Sequence, residues 1–165
     1  MEIGDRIVYP MHGAGIIAGV ETNEIGGVTK SYYVLKMPMG NLKLMLPVDK
    51  INEIGLRGII DSSKVDEVKT TLEDKPEFMV GSWNKRYHAT LDRLKSGDIL
   101  DAAAVARNLS AQNVRKKLSS GERRLLDLAR QILISELVFA CEKPPDEIER
   151  WLDDILGASD DTEYA

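Results

Sequence analysis

The hydrophobic period changes once along this chain, near residue 60, and that single change limits the folds open to it. Up to Ile60, apolar residues alternate over short stretches broken by Gly and Pro. From Asp61 onward they recur at three and four residues, the spacing of an amphipathic helix. Strands followed by helices, without alternation of the two, read as α+β with two domains, 1–60 and 61–165.

The first part holds four or five short strand candidates. Asp5 to Tyr9 is β-rich, and Pro10 ends it because proline cannot donate to a ladder. Gly13-Ala14-Gly15 reads as a bend, and Ile16 to Thr22 as a second strand with Gly19 a candidate bulge. Gly26-Gly27 is a hairpin turn, because glycine accepts the positive φ that tight turns demand. Thr29 to Lys36 makes a third strand. Gly40-Asn41 then turns the chain into Leu42 to Leu46, with Leu42, Leu44 and Leu46 on one face and Lys43 and Met45 on the other. A short fifth strand is expected within Ile51 to Ile60. So many short strands in so little chain predict a small, strongly bent barrel.

The second part carries helix punctuation. Asp61 to Ser63 offer caps for a helix through Leu72, ended by Glu73-Asp74-Lys75-Pro76. Ser82 caps a helix to about Lys95, and Gly97 stops it. Asp98 caps the next, with Ile99, Ala102, Ala103, Val105 and Ala106 inward. Ser119-Ser120-Gly121-Glu122 fits the S-x-x-E capping box and opens the longest helix, about 119–142. Leu125, Leu128, Ala129, Ile132 and Phe139 share one side of it, and Glu136 is the one charged residue in that stripe. Pro144-Pro145 starts the last helix, Gly157 ends it, and residues 158–165 are expected to fray.

Composition narrows the chemistry. Only two His (His12, His88) and one Cys (Cys141) occur, which leaves little for a metal site, a His-based acid–base pair or an internal disulfide. No G-x-x-x-x-G-K-[ST], G-x-S-x-G or H-E-x-x-H is present, so an enzyme is not expected and no cofactor is implied. The weakest-supported alternative, a small hydrolase, would have to use a carboxylate pair such as Asp98 with Asp101. The balance of 43% hydrophobic and 30% charged residues fits a soluble globular chain. No apolar run reaches a membrane span and no secretory signal opens the chain, so a cytoplasmic protein with no membrane partner is expected. His12 reads as a turn residue bonding locally, and Cys141 as a small buried hydrophobe.

The net charge of -5 conceals an asymmetry. Residues 1–60 hold 6 basic and 6 acidic side chains, residues 83–130 hold 11 and 5, and residues 143–165 hold 2 and 8. A polyanion senses the local field over about 8 Å at physiological salt, so the basic middle is a candidate surface for nucleic acid. Arg115-Lys116-Lys117 and Arg123-Arg124 flank the capping box and suit contacts to the phosphodiester backbone, though a solvated surface is the plainer reading. Trp83, Lys85, Arg86 and His88 open the helix capped by Ser82, where free N–H groups favour phosphate and Trp83 could wedge into a base step. Against that, Trp83, Tyr87, Leu91 and Leu94 share one helical face, and on spacing alone a core stripe is the plainer reading. Trp151 packs with Ile148 and Ile155. On the strand side, Leu42 to Pro47 invites a partner's strand if it lies at an edge.

These residues also carry a resemblance. Gly4-Asp5-Arg6-Ile7-Val8-Tyr9-Pro10-Met11-His12-Gly13-Ala14-Gly15, Tyr33-Val34-Leu35-Lys36 and Leu46-Pro47-Val48 resemble the amino-terminal module of CarD/CdnL bacterial transcription factors. Transcription-repair coupling factors share that module as their RNA-polymerase-interacting domain, but no helicase motif of theirs is present here. Trp83-Asn84-Lys85-Arg86-Tyr87, Leu94-Lys95-Ser96-Gly97-Asp98 and Leu118-Ser119-Ser120-Gly121-Glu122-Arg123-Arg124 resemble the family's helical half.

The resemblance implies a Tudor-like barrel that binds the RNA polymerase β subunit by edge-strand contact. It also implies a helical domain that stabilises the open complex on promoter DNA at the upstream edge of the bubble. By it, the wedge falls on Trp83 and DNA-facing cations on Lys85 and Arg86, with His88 at a position often basic in the family. The polymerase contact falls on Asn23, Lys43, Leu44, Met45, Leu46 and Pro47. Some relatives carry Arg where this chain has Asn23 and Met45, so a more apolar contact is implied. The protein is expected to act as a monomer, localised to the nucleoid through polymerase. The alternative is a polymerase-bound adaptor whose helical half meets a protein and never DNA.

Overall fold

The computed structural model describes residues 1–157, so the fraying expected of 158–165 lies outside the described residues. Five strands form one antiparallel sheet: β1 (Arg6–Tyr9), β2 (Gly13–Ile25), β3 (Val28–Lys36), β4 (Lys43–Pro47) and β5 (Arg57–Gly58). Their order is β4-β3-β2-β1-β5, which makes β4 and β5 the two edges. Gly26 and Gly27 take φ of 59° and 79° between the paired Ile25 and Val28, the left-handed pair that a two-residue hairpin requires. The register between β2 and β3 shifts between Ile17 and Gly19, a bulge at the expected glycine.

Ile7, Ile17, Leu35, Met37 and Leu46 share one core cluster. Ile7 lies on β1 and Leu46 on β4, with two strands between them, so the sheet must curl around that cluster. Two expectations change in the structure. Gly13-Ala14-Gly15 is strand rather than bend, because a helix lies directly on it: a Cβ on Gly13 would come 2.3 Å from the Ser135 hydroxyl and 3.3 Å from the Ile132 Cα. The fifth strand shrinks to two residues, because Ile51, Ile54 and Leu56 turn in against the sheet's core instead of pairing.

Five helices follow: α1 (Ser62–Glu73), α2 (Trp83–Lys95), α3 (Ile99–Arg115), α4 (Ser120–Cys141) and α5 (Pro145–Leu156). Asp61, Ser82 and Asp98 cap α1, α2 and α3 through their side chains. The capping box at Ser119 and Glu122 is formed in both directions. α4 is the axis of this half. Leu125, Ala129, Leu133 and Leu137 pack with Val68 and Leu72 of α1, Leu94 of α2, Ile99 and Ala106 of α3 and Leu152 of α5. α4 also seats the sheet. The Ser135 hydroxyl accepts from the Ala14 N–H at 2.9 Å, and the Gln131 amide donates to the His12 carbonyl at 2.9 Å. Among the described residues no helix is long and apolar enough to cross a membrane, and no group of three or more His, Cys, Asp or Glu is placed to hold a metal ion.

Candidate functional site

The candidate residues collect on two surfaces. The first is where the N-terminal turns of α2 and α4 meet. Ser82 holds α2's first turn by accepting from the Lys85 N–H, and this fixes the direction in which Trp83, the first helical residue, leaves the backbone. The stripe from Trp83 to Leu94 is graded along its length: Leu94 is buried, Leu91 and Tyr87 are half-buried, and Trp83 is 40% exposed. Core packing and an exposed aromatic therefore coexist on one helical face.

The indole rests against three neighbours. It stacks on the Tyr87 ring with centroids 5.0 Å apart. Its N–H donates to the Ser119 hydroxyl at 3.0 Å. Its six-membered ring lies over Gly121, where an added Cβ would come within 2.9 Å of it. Ser119 is thus the α4 cap and the indole acceptor at once, and Glu122 and Gln112 hold it in place. Glu122 accepts from the Ser119 hydroxyl at 2.9 Å and from the Gln112 amide at 2.7 Å. Burial pushes the Glu122 carboxyl up, but the Gln112 and Ser119 hydrogen bonds and the nearby Arg86 charge outweigh it and hold the group below the usual carboxylate range.

Cations flank these contacts along both helices. Lys85 is exposed, and Arg86 is half-buried with one guanidinium N–H on the Gly81 carbonyl at 2.7 Å. His88 is exposed and sits edge-on to Tyr87 at 5.7 Å. Arg123 and Arg124 lie two and three residues after Gly121, the first half-buried and the second exposed. The contact between Trp83 and Gly121 is what brings the two cation groups together. The sequence offered Trp83 and the cations but not the cradle. Its signal was Gly121 itself, a poor helix former in a first turn that the capping box does not require.

The second surface is the open edge of the sheet. Leu44 and Leu46 face inward, Leu44 half-buried and Leu46 fully buried, so the Leu46 side chain is closed to a partner. Lys43 and Met45 face outward, with Met45 40% exposed. The Met37 N–H donates to the Leu42 carbonyl at 3.0 Å. Counting the antiparallel alternation on from that pair, Leu44 and Leu46 direct their backbone groups to β3. Lys43 and Met45 then present N–H and C=O at the free edge, and Pro47 a carbonyl alone. Asn23 is not on this edge. It pairs with Lys30 on the exposed β2–β3 ribbon, with β3 between it and β4.

The carboxylate pair considered for hydrolysis has structural partners. Asp98 accepts from the Leu100 N–H, and Asp101 holds Arg93 at 3.2 Å and the Ser96 hydroxyl at 2.6 Å. His12 bonds locally as expected, through the Tyr9 and Pro10 carbonyls. Cys141 is half-buried, and burial raises its thiol against a smaller opposing effect of Lys143.

A curled sheet with one open edge, joined to a helical bundle that shows an indole among cations, is a protein of two surfaces rather than one cleft. Comparison with known proteins gives it a family. Residues 1–60 match the CarD-like/TRCF RID domain, and residues 67–153 match the CarD C-terminal domain. The chain is 36% identical over 136 residues to the putative transcription factor YdeB of Bacillus subtilis (strain 168), covering 82% of this chain and 89% of that one. Over 54 residues it is 39% identical to the transcription-repair-coupling factor of the same organism, 33% of this chain but 4% of that protein. Among solved structures it is similar to CdnLNt from Myxococcus xanthus at 38% identity, covering 36% of this chain and 84% of that one, with a TM-score of 0.33. The chain belongs to the CarD/CdnL family of transcription regulators.

Proposed function

We propose that the protein binds the RNA polymerase β subunit through the β4 edge and stabilises the open promoter complex by placing Trp83 in the minor groove at the upstream fork. Residues 1–60 form the polymerase-facing domain in this reading, and residues 61–165 the DNA-facing one. The observation that carries it is the position of Trp83: exposed at a helix start, near Lys85 and Arg86 in sequence, and held by one hydrogen bond, one stack and its contact with Gly121. Insertion forfeits only those contacts and gains a widened, partly unstacked groove. The phosphate contacts carry no base-reading motif, so the protein acts at the fork without sequence preference.

The energetics are modest. A protein that binds the open fork better than duplex shifts the opening equilibrium by that difference in affinity. About 1.4 kcal/mol changes a small open population tenfold. Weak intrinsic DNA affinity suffices, because anchoring to polymerase sets a local concentration of roughly millimolar. At the other surface, a partner strand would take the N–H and C=O groups of Lys43 and Met45, with the Met45 and Pro47 side chains supplying apolar contact. The protein acts as a monomer in this scheme.

The test is open-complex lifetime in a purified transcription system. Trp83→Ala should retain polymerase binding and lose the lifetime effect, whereas Met45→Glu should lose both. An unchanged lifetime with Trp83→Ala would overturn the DNA contact and favour a polymerase-bound adaptor.

A further inference from the structure

The one charged residue in the apolar stripe of α4 remains to be accounted for. Glu136 is fully buried, and both its oxygens are bonded to Arg57 of β5: Oε2 to Nη1 at 2.6 Å and Oε1 to Nη2 at 2.7 Å. Oε2 also accepts from the Ile60 N–H at 3.0 Å. The third arm of the guanidinium, Nε, donates to the Gly97 carbonyl at 2.8 Å. Gly97 lies in the turn that ends α2, the helix Trp83 begins. Glu136 lies on α4, the helix whose first turn cradles the indole. One side chain of the sheet is therefore tied to both helices that hold Trp83.

An apolar contact in this place would stabilise the join as well or better, because taking a carboxylate and a guanidinium out of water is costly. What a forked, two-bond ion pair adds is direction. A guanidinium bonded on three sides fixes an angle that sliding methyl groups do not. Interfaces between domains otherwise permit relative motion by default. The Arg57 side chain thus ties the β5 end of the sheet to the helices, while the β4 edge lies at the opposite side of the sheet.

We propose that Arg57 and Glu136 are positioning residues: their pair sets the angle between the open β4 edge and the Trp83 end. A protein anchored at one surface then presents the indole at one distance and orientation. This rests on the reading of Trp83 as the fork contact. Neither residue touches DNA or polymerase in that reading; each acts through the elements it joins.

The measurement has two parts. The first is the distance distribution between spin labels at Lys36→Cys on β3 and Glu149→Cys on α5, in a Cys141→Ala background. The second is open-complex lifetime beside separate affinities for polymerase and for forked DNA. The double variant Arg57→Met/Glu136→Leu replaces the pair by apolar side chains and removes the direction. Its distance distribution should widen at least twofold and its effect on lifetime should fall at least fivefold, with both separate affinities within twofold of wild type. Arg57→Lys, whose single ammonium cannot reach Glu136 and Gly97 as a fork, should fall between. If the double variant does not fold, Glu136→Gln carries the same comparison with a smaller widening. An unchanged distribution overturns the proposal, and so does a widened one with an unchanged lifetime effect. If the wild-type protein itself leaves lifetime unaltered, the fork reading fails separately, and the distance distribution alone decides whether the pair sets the angle.

Discussion

Helix α4 buries two carboxylates, about 21 Å apart along its axis, and they are held by opposite kinds of neighbour. Glu122, in the first turn, is satisfied by Ser119 three residues before it and Gln112 ten before it. Glu136, in the last third, is satisfied by Arg57 and Ile60, 79 and 76 residues earlier in the chain. The first set is a local cap that ends at the surface and carries a half-exposed indole. The second is a long-range join whose carboxylate is fully buried, beside Ser135, which is itself bonded to Ala14. One end of the helix holds a side chain that can leave; the other is tied to the sheet.

The buried part should show the largest stability effect. Ser135→Val removes the acceptor from the buried Ala14 N–H and crowds Gly13, where the Ser135 hydroxyl already leaves no room for a Cβ. An orphaned N–H and an overfilled site each cost about 1–3 kcal/mol, so a loss of about 3 kcal/mol is expected by urea unfolding. The same substitution at exposed Ser120, in the first turn of the same helix, should stay within about 0.5 kcal/mol. Equal losses at the two serines would erase the contrast.

What could be read from the sequence follows the same division. The period change, the caps at Asp61, Ser82 and Asp98 and the capping box depend on residues a few positions apart, and the structure has them where the spacing predicts. The Gly26-Gly27 hairpin and the Gly19 bulge are legible for the same reason. The character of Gly13-Ala14-Gly15 was not, because their smallness serves a helix more than a hundred residues away. Nor could Arg57 be paired with Glu136. A lone charge in an apolar stripe demands a partner, but periodicity does not say which. At the candidate site, the exposure of Trp83 depends on Gly121 and Ser119 meeting it from another helix. The i, i+4 spacing therefore favours a core stripe, and it cannot show that the stripe ends in a half-exposed indole.

At the loose end of α4 the effects are smaller and fall on the indole. Gly121→Ala should help the helix by up to about 1 kcal/mol, since alanine is the better former. Its Cβ would come 2.9 Å from Cζ2 and 3.2 Å from Cη2 of Trp83, so the ring must shift. With the ring 40% exposed, the shift is outward rather than a strain on the core. Net stability should stay within about 1 kcal/mol of wild type. In a Trp151→Phe background, the remaining tryptophan emission should move to longer wavelength. Unmoved emission would mean that Gly121 does not seat the indole.

The smallest effect is the acid dependence of the cap. The folded-state Glu122 carboxyl lies below its ordinary value: burial raises it, and the hydrogen bonds from Gln112 and Ser119, with the Arg86 charge, more than reverse that. As pH falls, the unfolded chain therefore takes up this proton first. The stabilisation is complete above the unfolded value of 4.5 and is lost as pH drops through the lower folded one. Glu122→Gln has no proton to take up. Its stability deficit relative to wild type, followed by urea unfolding from neutral pH downward, should be largest near neutrality and shrink below about pH 4.5. The Trp83 emission should move with it, because the Ser119 hydroxyl that Glu122 orients is also the indole's acceptor. A deficit that is constant with pH would show that the cap is held by shape alone. The two ends of α4 would then differ in burial but not in the role of charge.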